Sequence, residues 1–191
     1  MNSLHEKRLH SMGRTLVLMC LALQLFSASA AAAKEGFYAG INMLFNDVNG
    51  DINTPVRVES GFGLGLHGGF VFNKYVAIES GIWRTKHANK SGGTAADLEA
   101  ETLDLKLLVP TDGSYIEPFL RIGSGLHRIE QNGISANGRS NRIGIGIDVY
   151  LFHDIFFDVG ITRSKVTFKQ DSTDMDGSIT TMDYGLSYHF N

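Results

Sequence analysis

The stretch Met-Asp-Tyr-Gly-Leu-Ser-Tyr-His-Phe, residues 182–190, decides how the rest of the chain is read. Met182, Tyr184, Leu186, Tyr188 and Phe190 share one parity, and Asp183, Gly185, Ser187 and His189 share the other. Successive side chains of a β-strand point to opposite faces, so this is a strand with one apolar face and one small or polar face. It closes the sequence in aromatics, as the sealing strand of a barrel does.

The same alternation recurs upstream. Strands are expected at about 36–46, 60–72, 75–84, 100–109, 119–128, 142–152 and 155–163, with 182–190 as the eighth. In the first, Phe37, Ala39, Ile41, Met43 and Phe45 oppose Tyr38, Gly40, Asn42 and Asn46. In the sixth, Ile143, Ile145, Ile147, Val149 and Leu151 oppose Gly144, Gly146, Asp148 and Tyr150. The connections alternate in length. Polar stretches at 47–59, from 85 to about 98, at 129–141 (with Asn-Gly steps at 132 and 137) and at 164–178 read as long loops. Asn73-Lys74, the 110–118 segment with Asp112-Gly113, and His153-Asp154 read as short turns. Eight strands of about ten residues with this rhythm describe an all-β, antiparallel, up-and-down transmembrane barrel of the bacterial outer membrane. Its four long loops are then extracellular and its short turns and both termini periplasmic.

The first 33 residues read as a secretory signal peptide. Lys7, Arg8 and Arg14 form a basic head, 15–26 an apolar core, and 27–33 a small-residue segment with Ala-x-Ala options at 28–30 and 31–33. The core is shorter than a membrane-spanning helix requires. Cys20 follows Met19, not the small residue of a lipoprotein signal. Cleavage leaves a barrel domain, 34–191, without cysteine, so disulfides do not stabilise it. A net charge of -3 gives no reason to expect nucleic acid as a partner.

The apolar face is expected to point outward. Bulky Leu, Ile, Val and Phe in every strand overfill the narrow interior of an eight-stranded barrel, while glycines relieve it. The polar face carries Glu79, Asp104, Lys106, Arg121, Asp148, Asp158 and Asp183. Inside, these charges can pair; at mid-membrane on the lipid side an Arg or Lys costs roughly 2–4 kcal/mol. No charged residue in the middle of a strand is expected to face lipid.

Three stretches carry a resemblance to a known family. Asp183-x-Gly185-x-x-Tyr188-x-Phe190 resembles the C-terminal signal read by the barrel-assembly machinery. The stretch Val-Ala-Ile-Glu-Ser-Gly at 76–81 resembles the family's third strand, and Pro-Phe-Leu-Arg-Ile-Gly-Ser-Gly at 118–125 its fifth. Residues 34–191 thus resemble the small eight-stranded outer-membrane barrels: the OmpA transmembrane domain, OmpX and the opacity-type surface proteins. The resemblance implies a structural or surface protein, non-catalytic, adhesin-like or ligand-binding through its loops; because the sequence stops at the sealing strand, a peptidoglycan-binding domain is not expected to follow. A narrow channel for small solutes and a lipid A-modifying enzyme remain alternatives.

Candidate sites follow from parity. Glu79, Arg121 and Lys106, with Asp104 and Asp148, are expected to form a charge network in the lumen. Asp183, Gly185, Tyr188 and Phe190 are the expected assembly signal. Arg84, Arg128 and Arg163 each lie eight residues beyond Val76, Leu120 and Ile155, the first outward residues of rising strands. A climb of roughly 20 Å puts them at the outer rim, where guanidinium forks suit the phosphates of lipopolysaccharide. The G-x-G-x-x-G spelling at 63–68 lies within one strand and lacks the strand–turn–helix context of a nucleotide site. Asp47, Asn49 and Asp51, and Asp171, Asp174 and Asp176, space oxygen ligands as a calcium loop does but lack a terminal bidentate Glu. His67, His127 and His189 take lumen parity and none has a serine two residues on, so no lipid-facing His-Ser catalytic pair is expected. No cofactor or metal site is expected. Outer-membrane lipid, lipopolysaccharide and the assembly machinery are the expected partners.

Overall fold

The structure, a computed structural model, describes residues 35–49, 58–89, 95–111, 115–131, 133–170 and 173–190. The expected signal peptide, Asp112-Gly113 and Asn132 lie outside the described residues. Eight strands follow one another: β1 (Gly36–Asn49), β2 (Val58–Asn73), β3 (Val76–Asn89), β4 (Ala96–Leu108), β5 (Ile116–Gln131), β6 (Ile134–Tyr150), β7 (Ile155–Gln170) and β8 (Thr173–His189). Each pairs antiparallel with its sequence neighbours, and β8 closes on β1 through pairs such as Met182 with Phe45 and Leu186 with Ile41. Closure leaves no sheet edge in the membrane, which is what allows strands to cross lipid at all.

Exposure settles which face is which. Ile41, Leu64 and Ile145 are each more than 60 % exposed, whereas Lys106, Asp148 and Asp183 are at most 3 % exposed. The apolar parity points outward on every strand, as the sequence requires. On β2 the outward apolar set runs from Phe72 to Phe62, roughly 25 Å of height for a strand tilted near 40°. Aromatic pairs sit near both limits of the band: Tyr188 against Phe190 and Phe70 against Phe72 at one end, Phe45 against Phe62 at the other. Aromatic girdles of this kind sit at the two interfaces of a bilayer.

The long outer loops expected between β5 and β6 and between β7 and β8 are corrected. β5 runs to Gln131 and β6 starts at Ile134, so only positions 132–133 separate them; Asn137-Gly138 lies inside β6. β7 and β8 run through most of the polar stretch and leave only 171–172 between them. The other two outer connections shorten to 50–57 and 90–95. The cause is an inversion of the side-chain pattern. Above the lipid band, polar residues face out and apolar ones face in: Lys165, Thr167 and Lys169 against Val166 and Phe168, and Arg128 and Glu130 against Ile129. A strand wall standing in water buries its apolar side, so an apolar-outward search stops at the membrane surface. At the other end β6 stops at Tyr150, two residues before the expected 152.

A second correction follows from the longer strands. Glu101 becomes a mid-strand residue of β4 that faces outward between Ile82 and Leu126. It lies at the upper edge of the apolar band, two residues from Glu99 and beside the water-facing section.

Gly133 has φ +77°, and a Cβ there meets nothing within 4 Å. Gly133→Ala therefore tests backbone conformation alone. It is expected to cost about 1 kcal/mol, the left-handed penalty, read as a lower urea midpoint in detergent micelles. Gly133→Asn should recover most of it, because Asn tolerates this region.

Candidate functional site: a filled lumen and a charged outer rim

The lumen is packed in three layers. At the periplasmic end Tyr38, Val71, Ala77, Leu108, Phe119, Tyr150 and Phe156 form a buried cluster. A cavity of about 10 Å³ beside Lys106, Asp148 and Tyr150 is the size of roughly one water. At the outer end Leu44, Trp83, Leu98, Ile129, Phe168 and Ile179, among others, form a second apolar cluster, each at most 8 % exposed.

Between them lie the charges. Lys106 Nζ donates to both oxygens of Asp148, at 2.9 and 2.8 Å, and lies 3.9 Å from Glu79. Arg121 donates to Asp183, at 3.2 and 3.4 Å, and stands 3.9 Å from Glu79. Glu79 also accepts from the Tyr38 hydroxyl at 2.8 Å. Both cations lie over the ring of Phe119, at 4.1 and 4.8 Å, so the ionic layer is clamped onto the aromatic one. Four of the five expected network residues, Glu79, Lys106, Arg121 and Asp148, therefore meet directly. Asp104 pairs instead with Arg142, whose Nε is 3.1 Å away.

Arg142, Asp158 and Asp183 belong to this layer but were not among the expected network members. Parity alone could have found Arg142: it is two residues before Gly144 on the lumen face. What parity could not give is height. Cross-strand register brings Asp183 of β8 to Arg121 of β5 across the lumen.

The closing motif is built into this packing. Asp183 is the Arg121 partner, and a Cβ on Gly185 would collide with the Asp158 carboxylate. Tyr188 and Phe190 face outward and stack on each other, with ring centroids 5.3 Å apart. The four residues of the expected assembly signal thus divide into two in the lumen and two in the girdle.

Cross-strand contacts create His–hydroxyl pairs that no single-strand search reveals. His67 Nε2 lies 2.7 Å from Ser187 Oγ and 3.8 Å from Asp158. His127 Nε2 lies 2.8 Å from Ser140 Oγ. Both pairs are buried in the lumen. In the first, serine and carboxylate approach the same ring nitrogen, whereas a nucleophile–base–orienter relay needs them on opposite ones.

On the outer rim, Arg84, Arg128 and Arg163 all face outward and are exposed, as expected. Arg84 is held by Asp97 at 2.8 Å and Glu99 at 3.4 Å, and Arg128 by Glu130 at 3.5 Å. Asp51 and Asp171, from the two calcium-like spacings, lie outside the described residues. Their companions sit on strands: Asp47 accepts from Asn49 at 2.8 Å, Asp174 pairs with Lys169 at 3.9 Å, and Asp176 accepts from Thr167 at 2.7 Å. The 63–68 glycines lie within β2.

A closed antiparallel eight-stranded cylinder, apolar outside and ionic inside, defines an integral outer-membrane barrel. The chain belongs to the outer membrane protein beta-barrel domain family, whose model matches residues 18–190; its place is the bacterial outer membrane. No curated protein matches the sequence. Among solved structures it is similar to Neisserial surface protein A, at 16 % identity over 86 % of this chain and 100 % of that one, TM-score 0.64. It is also similar to Ail, the attachment invasion locus protein of Yersinia pestis, at 17 % identity over 82 % and 100 %, TM-score 0.55. The outer membrane enzyme PagL aligns at 15 % identity over 79 % and 99 %, TM-score 0.50. The fold is thus shared by surface proteins and an enzyme.

Proposed function

We propose that this protein is a non-catalytic, non-conducting surface barrel that acts through its outer rim and hairpins, seated in lipopolysaccharide. The filled lumen is the observation that carries the reading. Among the described residues an apolar cluster lies at each end of the lumen with a paired ionic layer between them, and this packing supports a closed lumen. The buried histidines support the non-catalytic part, since an acyl-chain substrate in the outer leaflet does not reach them. The strand wall raises the hairpins above the membrane, where loops on a scaffold commonly carry binding. A neighbour named for attachment and invasion is consistent with that use.

The purified protein in a planar bilayer is expected to give no stable conductance, and its expression is expected to leave the lipid A mass spectrum unchanged. A steady open level would favour the channel. A lipid A mass shift that depends on the protein would favour the enzyme.

A further inference from the structure

The rim cations fall into two groups. Arg84 is matched by Asp97 and Glu99, Arg128 by Glu130 and Lys169 by Asp174, and Lys86 stands opposite Asp97 in the β3–β4 ladder. On the β6–β7 side Arg139, Arg163 and Lys165 also face outward and are exposed, and among the described residues no carboxylate pairs with them. Their register makes them a cluster. Arg163 is opposite Ile143, Lys165 opposite Asn141, and Arg139 opposite Thr167. Arg163 and Lys165 are two residues apart on one face, and Arg139 is the diagonal neighbour of Lys165. Each separation is about 7 Å. Like charges this close repel, so an anion seated among the three is favoured. Asn141, Thr167 and, opposite Arg163, Thr180 lie among them, and the carboxylate diagonal to Lys165, Asp176, is engaged by the Thr167 hydroxyl at 2.7 Å.

Directly below is an apolar wall. Ile143, Ile145 and Ile147 of β6 and Ile161 of β7 are 37–61 % exposed. A free phosphate gains nothing from such a wall. A phosphorylated lipid gains twice, its headgroup among the cations and its acyl chains along the isoleucines.

We propose that Arg139, Arg163 and Lys165 form a one-sided site for the phosphate-bearing headgroup of an outer-leaflet glycolipid. The site rests on the membrane-surface reading above and narrows it: Arg163 belongs to the site, while Arg84 and Arg128 serve the carboxylate-paired side of the rim.

Native mass spectrometry of the exported protein released from detergent tests it, with diphosphoryl lipid A, monophosphoryl lipid A and inorganic phosphate as probes. Wild type should retain the diphosphoryl form best. R139Q/R163Q/K165Q should weaken that binding roughly a hundredfold, at about 1 kcal/mol per cation near an anionic surface. R84Q/R128Q should stay within about twofold of wild type, because those charges are already matched. Retention of a mobility shift between unheated and boiled samples establishes that each variant is folded. If the triple variant fails that check, R139Q/K165Q carries the same comparison.

Undiminished lipid A binding by the folded triple or double variant overturns the site, as does an equal loss in R84Q/R128Q. Displacement of the lipid by equimolar inorganic phosphate also overturns it, in favour of a free-anion site. These outcomes are separate from failure of the underlying reading, which is shown by wild type conducting or remaining monomeric in detergent-free buffer.

Discussion

Arg121→Ala is expected to destabilise the barrel by about 3–5 kcal/mol, the cost of removing one partner from a buried ionic cluster. Arg121 is 5 % exposed and is the hydrogen-bonded cation of Asp183. Its loss leaves that carboxylate buried without its hydrogen-bonded cation, and leaves Glu79 with Lys106 as its remaining cation. It also removes the guanidinium from the Phe119 ring, so the layer below loses packing. The measurement is the urea midpoint for unfolding in micelles. Conductance should not rise, because the apolar clusters above and below the ionic layer are intact. A variant as stable as wild type would mean that the lumen charges contribute little beyond filling space. A stable variant that conducts would mean that Arg121 acts as a plug.

Gly123→Val is expected to cost about 3 kcal/mol, from forced overpacking. Gly123 is opposite Asp104 in the β4–β5 ladder. A Cβ there would strike both the Asp104 carboxylate and the Leu103 carbonyl. The carboxylate could rotate, but only by leaving Arg142. The carbonyl cannot move without distorting the ladder itself. Gly68→Ala is the contrast: Gly68 faces outward, and its nearest obstruction is the Tyr38 carbonyl at 3.3 Å. The two variants should separate clearly in the fraction of protein that keeps its folded gel mobility in urea. Equal tolerance would show that the lumen is less tightly packed than these contacts require.

Much of this molecule was legible in the chain because lipid imposes a two-residue period. Ile143, Ile145 and Ile147 on one parity and Gly144, Gly146 and Asp148 on the other admit one assignment of faces, since the isoleucines do not fit the lumen and the aspartate does not belong in lipid. The site was legible in part for the same reason. Lys106, Glu79 and Asp148 could be assigned to the lumen from parity, and the structure brings them within ion-pair distance. Arg142 was missed at a strand start that the structure moves outward to Ile134. The water-facing section was missed more broadly. Val166 and Phe168 sit on the parity of Asp158 and Thr162, which reads as disorder in the pattern until the change of solvent is recognised.

The sequence by itself determined the number of membrane crossings, the outward apolar face and the sealing strand, because each depends on side chains a fixed two residues apart. Tertiary structure alone decided which charges meet, how high the wall stands above the bilayer, and which rim cations lack an ion-pair partner among the described residues. Those depend on strand register and barrel tilt. They set the relative heights of residues far apart in the chain, such as Arg121 and Asp183, and no spacing within one strand encodes them.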